Sequence, residues 1–291
     1  MILITGAAGK TGKAVLRALA EKRQPVKAFV FHPGQIQEVK GLGAREVLVG
    51  DLRDVDALEQ AMQGVNSIYH IPPNVHPDEV TIGQKIIAAA AANGVTHFIY
   101  HSVLHPQIEA MPHHWKKMRV EEQLFESGLS FTILQPAVYM QNILVNLKNI
   151  IEAGKYSIPY AVESRISMVD LEDVAQAAAL VLTENLLHAG ATYELAGTPP
   201  MAQSEVAAIL SERLGRTVIA ERIPVETWER NARASGMGDY QVDTLVKMFS
   251  YYDRFGLSGD THVLSWLLNR PPASLGTFVI REALGRLHNV P

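Results

Sequence analysis

The chain has 291 residues, with 26 Lys+Arg against 30 Asp+Glu and a formal net charge of −4, so charge creates no general attraction to nucleic acid or anionic lipid. It contains no cysteine, which excludes disulfides, thiolate nucleophiles and cysteine-type zinc sites. Hydrophobic residues make up 47% of it, enough for the core of one large domain or of a domain with a second lobe, and no apolar run approaches the roughly 20 residues of a membrane helix.

Met1–Thr5 is a short apolar run, expected as a strand covered on both faces. Its opening MILI has no basic run, which gives the expectation of an unprocessed, cytoplasmic chain. The turn TGAAGKTG (Thr5–Gly12) leads into a helix over Lys10–Arg23, with Val15, Leu16 and Leu19 on its apolar face. Strands follow at Val26–Phe31, Glu46–Val49, Val65–Ile71, His97–His101 and Ser130–Leu134. Between them lie helices at Asp54–Gln63, entered through acidic residues, at Thr81–Ala92, closed by Asn93-Gly94, and at Trp115–Ser127, ended by Gly128. Alternating strand and helix with short connections predicts a doubly wound parallel sheet.

After Gln135 the rhythm loosens. Helices are expected at Tyr139–Ala153, Leu171–Leu182 and Ser204–Leu214, with β-like pieces at Tyr193–Ala196 and Thr217–Ile223. Glu226–Arg286 reads as mostly helical, broken at Ser235-Gly236, Gly256 and Pro271-Pro272. The expected organisation is a nucleotide-binding core over residues 1–135 and a smaller C-terminal α+β lobe over 136–291, interleaved with the core. No internal repeat, low-complexity tract or flexible linker interrupts the chain.

The glycine turn carries the first functional signal. Gly6 permits a sharp exit from the strand, Gly9 lets backbone approach a ligand, and Gly12 allows the helix to pack closely. N–H groups at the helix start, with the helix dipole, favour a pyrophosphate. A phosphate-binding loop of the G-x-x-x-x-G-K-[ST] kind does not fit, because only two residues separate Gly6 from Gly9.

This turn resembles that of the extended and atypical short-chain dehydrogenases. Further features are similar to the NmrA-like group within them: Gly50-Asp51-Leu52, Ile71-Pro72-Pro73, Ser102, His113-x-x-x-Lys117-x-x-x-Glu121, Ser127–Asn142, Ile166–Ala179 and Asn269–Leu275. The resemblance spans nearly the whole chain and implies a Rossmann fold of the atypical short-chain type. It also implies cofactor contacts from Gly6, Ala8, Gly9, Lys10, Thr11, Gly12, Phe31, His32, Asp51, Leu52, Ile71, Pro72 and Lys117.

Strand two ends Val30-Phe31-His32-Pro33, with no acid to take NAD ribose hydroxyls or to repel a 2′-phosphate. Relatives often carry an arginine where Phe31 stands, so the usual phosphate clamp is absent too. His32, Lys10 and Lys13 are substitutes, and NADP(H) is the expected cofactor. Lys10 and Lys13 read equally as solvated helix-start residues. Asp51 is expected on adenine by the resemblance, or as a cap of the following helix.

The usual Ser, Tyr and Lys of the resembling enzymes map to Ser102, His113 and Lys117, with histidine replacing tyrosine. Four residues is about one helical turn, so His113 and Lys117 share a face. An ordinary histidine, with a pKa near 6.5, can deliver a proton at neutral pH, and a nearby lysine lowers that pKa. The roles expected are Lys117 on ribose and proton relay, His113 as proton donor and Ser102 as hydrogen bond to the acceptor oxygen. The alternative for His113 is a surface residue at a helix start. Tyr139 and Asn142 are expected at the nicotinamide end as substrate contacts, with core packing the alternative for Tyr139. The histidines at 101, 105, 113 and 114 lack metal-site spacing, and Asp170 and Asp173 read as a helix start.

The function expected is an NAD(P)H-dependent oxidoreductase acting on a carbonyl, quinone or similar small hydrophobic acceptor. The alternatives are a non-catalytic NADP(H)-binding redox sensor of the NmrA type with a regulatory protein partner, and a sugar-nucleotide epimerase or dehydratase. The latter is disfavoured because such relatives keep the tyrosine.

Overall fold

The computed structural model describes residues 1–284. Its first half runs β1 (Ile2–Ile4), α1 (Lys10–Glu21), β2 (Val26–Val30), α2 (Ile36–Gly41), β3 (Ala44–Val49), α3 (Val55–Met62), β4 (Ser67–His70), α4 (Glu79–Ala92), β5 (His97–His101), α5 (Pro112–Glu126) and β6 (Phe131–Pro136). The second half runs β7 (Val138–Tyr139), α6 (Leu147–Ala153), β8 (Lys155–Ile158), β9 (Met168–Val169), α7 (Leu171–Thr183), β10 (Ala191–Leu195), α8 (Gln203–Leu214) and β11 (Ile219–Arg222). It continues through α9 (Val225–Ala234), α10 (Asp239–Phe255), α11 (His262–Leu268) and α12 (Leu275–Val279).

Two compact units are present. The first comprises Met1–Ile108, His113–Gln135 and Val174–Tyr193; the second comprises Glu109–Pro112, Pro136–Asp173 and Glu194 onward.

The first unit is built on a seven-stranded sheet in the order β10-β6-β5-β4-β1-β2-β3. Every pairing among β1 to β6 is parallel. The chain moves outward from β1 to β2 and β3, then returns to lay β4 against the other side of β1. That reversal opens a crevice beyond the carboxyl ends of β1 and β4, the usual ligand site of such sheets. Strands β1, β2, β4 and β5 are buried along their whole length, as a sheet covered on both faces requires. Leu3, Phe29, Leu58, Ile68, Phe98, Tyr100 and Ile133 share one core cluster.

Two helices of this unit start earlier than their sequence pattern suggests. α4 begins at Glu79, not Thr81, and α5 at Pro112, not Trp115. Proline suits a first helical position, where its missing N–H is not needed. The earlier starts matter because they place Glu79 and His113 in first turns, where both are buried.

In the second unit the largest departure lies at 139–153, expected as one helix. Val138–Tyr139 instead pairs in parallel with Met168–Val169, a 3-10 turn occupies Met140–Asn146, and only Leu147–Ala153 is α-helical. Strand pairing takes the segment's first residues out of helical geometry. β8 and β11 form a second parallel pair. Met140, Ile150, Tyr156, Val206, Leu210 and Phe278 belong to this unit's core cluster. The helical breaks near 235, 256 and 271 fall between α9, α10, α11 and α12 as expected. The expected helical end at Arg286 lies outside the described residues.

Asp170 caps α7 by accepting from the Glu172 N–H at 3.2 Å. It also accepts from Gln141 Nε2 at 2.8 Å and from Arg281 at 2.7 and 3.0 Å. Asp173 accepts from Arg270 at 2.7 Å and from the Ala273 N–H at 2.6 Å. The pair expected only to start a helix therefore also grips the Asn269–Leu275 segment and the turn beyond it. Burial raises the Asp170 pKa, but its bonds from Arg281, Gln141 and the Glu172 N–H outweigh this and hold it below the usual carboxylate range. Asp170→Ala is expected to lower unfolding free energy in urea by about 3 kcal/mol at pH 7. A depressed folded pKa gives stability that is present above the unfolded value, near 3.9, and lost as pH falls through the folded value. The gap between wild type and variant should therefore close on acidification in that window.

Candidate functional site

The crevice is shaped by backbone contacts that only glycine permits. Thr5 follows β1, and its Oγ1 accepts from the Ile71 N–H at 3.0 Å and meets His70 Nδ1 at 2.8 Å. This ties the exit of β1 to the end of β4. Gly6 then turns the chain at φ +60, where a Cβ would stand 2.9 Å from the Ile71 carbonyl oxygen. A Cβ on Gly12 would lie 2.6 Å from Ala7 Cα, so α1 packs directly on the turn that precedes it. Gly9 N–H donates to Gly6 O at 3.0 Å, and α1 opens with Lys13 N–H donating to Gly9 O at 2.9 Å. By helix geometry the N–H groups of Lys10 and Gly12 have no intrahelical acceptor.

A groove of about 340 Å³ runs from this turn along the sheet's carboxyl edge. Gly6, Ala8, Gly9, Phe31, Asp51, Leu52, Ile71 and Pro72 all line it, joined by Ala7, Gln35, Arg53, Pro73 and His76. Lys10, Thr11, Gly12 and His32 are not among its lining; Thr11 and Gly12 are buried beneath the turn, whereas Lys10 and His32 are exposed. The residues present fit a dinucleotide. A cradle with no Cβ sits at a helix start, and the adjoining groove is mainly apolar.

At the β2 end, Phe31 is 56% exposed, with its ring edge-on to His32. Gln35 Oε1 accepts from the N–H groups of Phe31 and His32 at 3.2 and 3.0 Å, fixing the backbone there. Lys13 pairs with Glu38 at 2.8 Å in a contact that leaves both side chains partly exposed. Asp51 does not cap α3; Asp54 does, accepting from the Asp56 and Ala57 N–H groups. The Asp51 carboxylate is instead chelated by Arg53, whose side-chain hydrogen bonds hold it below the usual carboxylate range. Arg53 went unnoticed in the sequence. The available signal was a cation two residues beyond Asp51 in Gly50-Asp51-Leu52-Arg53.

At β5 and α5 the polar side chains form two separate sets. Ser102 Oγ–H donates to Glu121 Oε1, and Gln135 Nε2 donates to both carboxylate oxygens at 3.0 and 3.1 Å. Lys117 Nζ donates to Glu79 Oε1 at 2.6 Å, and the Tyr100 hydroxyl donates to the same oxygen at 3.2 Å. The Glu79 side chain is fully buried and that of Lys117 is 13% exposed. Lys117 was expected on ribose; here one of its N–H groups is engaged by a carboxylate, while an ammonium carries three.

His113 is buried at 8% exposure, which overturns the surface reading. Burial, then His114 and Lys117, push its pKa down to about 3. These surroundings favour the uncharged ring over the imidazolium at neutral pH. Its Nδ1 is buried without a hydrogen-bond partner. Neighbouring His114 meets the His105 carbonyl at 3.2 Å through Nδ1. Among the described residues no three His, Asp or Glu side chains gather as a metal site. Tyr139 and Asn142 lie in the second unit, on β7 and in the 3-10 turn after it; Tyr139 is half-buried and Asn142 exposed. No helix of the described residues is long and apolar enough to cross a membrane.

Fold and groove together define a doubly wound protein of the dinucleotide-binding class. The chain belongs to the NmrA-like family, whose profile matches residues 1–275. It is 30% identical to the NAD(P)H azoreductase of Xenophilus azovorans, over 97% of this chain and 98% of that one. It is 29% identical to quinone oxidoreductase 2 of Escherichia coli K12, over 100% of this chain and 99% of that one. The crystal structure of the NADPH-dependent quinone oxidoreductase from Escherichia coli, complexed with NADPH, superimposes with a TM-score of 0.84 at 29% identity, covering 99% and 100% of the two chains.

Losing one member of a buried ion pair strands the other. Glu79→Gln and Lys117→Met are each expected to cost about 3–5 kcal/mol in chemical unfolding. The double variant should cost less than their sum, with a coupling energy above about 1 kcal/mol. Additive losses would show that the two side chains are not an energetic pair.

Proposed function

We propose that the chain is an NAD(P)H-dependent oxidoreductase that reduces a quinone or an azo acceptor. The observation that carries this reading is the glycine cradle opening into the groove lined by Asp51, Ile71 and Pro72. Relatedness over the full length to an NAD(P)H azoreductase and a quinone oxidoreductase supports the acceptor class.

Bound NAD(P)H supplies a hydride. The chain's residues hold it and orient the acceptor. Gly6, Gly9 and the start of α1 take the pyrophosphate, and Asp51, fixed by Arg53, takes adenine. Lys117, with one donor on Glu79, offers the others to ribose hydroxyls. His113 acts as a neutral ring, and its unpartnered Nδ1 is satisfied when an acceptor binds. Ser102 is the hydrogen-bonding hydroxyl to the acceptor oxygen or nitrogen.

NADP(H) is preferred over NAD(H) in this reading. Two features support that. Among the described residues, Asp51 is the only acid lining the groove and is paired with Arg53, and Lys10 stands exposed at the glycine turn.

Stopped-flow oxidation of NADPH against a naphthoquinone, an azo dye and an aldehyde tests the activity. Turnover is expected on the first two, and Lys117→Ala should reduce kcat/KM by on the order of 10²-fold. Cofactor binding without turnover on any acceptor would transfer the chain to the redox-sensor class.

Cofactor binding is tested separately by titration. A Cβ at Gly9 would meet only Gly6 O, at 3.2 Å, so Gly9→Ala should fold with a near-native Tm yet bind NADPH weakly. Lys10→Ala should weaken NADPH about tenfold, the size of one charge-assisted hydrogen bond, and leave NADH unchanged. Equal weakening of both would remove Lys10 from the 2′-phosphate.

A further inference from the structure

Ser102 carries a single proton, and that proton is already in use. With Glu121 ionised, Ser102 Oγ–H donates to Glu121 Oε1, so only its lone pairs remain for anything else. It cannot then donate to an acceptor oxygen. A protonated Glu121 reverses the bond. The carboxylic O–H donates to Ser102 Oγ, and the serine proton is released toward the site.

We propose that Glu121 is a positioning residue whose protonation state sets the direction in which Ser102 donates, and so whether the site can hydrogen-bond an acceptor oxygen. This rests on the reductase reading above and deepens it. Glu121 transfers no proton to the acceptor; it acts through Ser102.

The surroundings suit a carboxyl that changes state. Glu121 is 4% exposed on α5. Ser102 faces it from the end of β5 and Gln135 from β6, the latter donating to both oxygens. Lys117, one turn earlier on α5, acts on it electrostatically, and Glu121 in turn helps to raise the pKa of Tyr100 on β5, after that ring's own burial. Lys117 is itself held by Glu79. Burial raises the Glu121 pKa, and the bonds from Ser102 and Gln135 and the Lys117 charge only partly reverse that rise. Ionisation is thereby delayed to higher pH than for a solvated glutamate.

Glu121→Gln separates this role from simple packing. The amide can turn its oxygen to Gln135 Nε2 and its NH2 to Ser102; this keeps one Gln135 bond and the Ser102 bond, gives up the second Gln135 bond, and fixes Ser102 in the outward-donating state. In stopped-flow NADPH oxidation with a naphthoquinone, wild-type kcat should fall along one ionisation as pH rises. Glu121→Gln should keep the low-pH kcat within about threefold and lose that alkaline fall. Ser102→Ala should be depressed on the order of 10²-fold at low pH and lack the fall. Gln135→Leu removes two donors that favour the ionised form, so it should move the fall to higher pH. In parallel, pH-difference infrared spectra of wild type should show a carboxylic-acid C=O band that titrates with kcat and is missing from Glu121→Gln.

A folded Glu121→Gln that retains the wild-type alkaline fall, or that drops to the Ser102→Ala level, overturns the proposal. So does a wild type with no titrating acid band. The two readings fail separately: no turnover on any acceptor overturns the reductase assignment, whereas a missing band overturns the carboxyl switch.

Discussion

A lysine ammonium held at 13% exposure inside the first unit sets the terms for every polar group around it. Taking such a charge out of water costs several kcal/mol unless an opposite charge meets it. Glu79 supplies that charge from the first turn of α4, where a carboxylate is also favoured by the helix dipole. The consequences spread through the neighbouring rings. Lys117 lowers the pKa of His70, His101, His113 and His114, adding to their burial. Burial and this charge together favour the uncharged form of these four imidazoles at neutral pH. Proton chemistry there cannot be assigned by residue type alone, because environment has moved each histidine far from its ordinary range.

Histidine stands here where the resembling enzymes carry tyrosine. In those enzymes the lysine favours the phenolate of its partner across one helical turn. A neutral imidazole offers no such anion, so a lysine left beside it would be buried without compensation. In this chain the compensating carboxylate comes from another helix. Lys117 and the carboxylate at position 79 are a buried pair separated by 38 positions in sequence and joined only by the fold.

What could be read from the sequence follows from the range of the interactions involved. The glycine turn was legible because a strand, a tight turn and a helix start are all local, and their requirements fall on consecutive residues. The sheet followed from alternation of elements, and its core from continuous apolar strands. The pairings of Glu79 with Lys117, Glu121 with Ser102 and Gln135, and Arg53 with Asp51 were not legible in the same way. The first two bridge different elements, so no periodicity marks them. The third lies within three residues, but Arg53 reads as an ordinary surface cation until the groove is seen. The burial of His113, in the first turn of a helix that begins at Pro112, depends on what that turn packs against, which no local pattern records.

The second unit shows the same limit in its structural carboxylates. Asp170 and Asp173 in Leu171-Glu172-Asp173 and its neighbour carry the pattern of a helix start, and Asp170 does cap α7. A cap needs one oxygen lone pair; a carboxylate has about four acceptor positions. The remaining positions are taken by Arg281, Gln141, Arg270 and the Ala273 N–H. A buried acid that satisfies only a local cap would be left charged and underbonded, so complete burial at Asp170 itself implies distant partners. The same inference applies at Glu121. There the partners can meet either protonation state, because a hydroxyl both donates and accepts, whereas the guanidinium groups on Asp170 and Asp173 can only donate. That difference separates a carboxylate built to stay ionised from one that can change state.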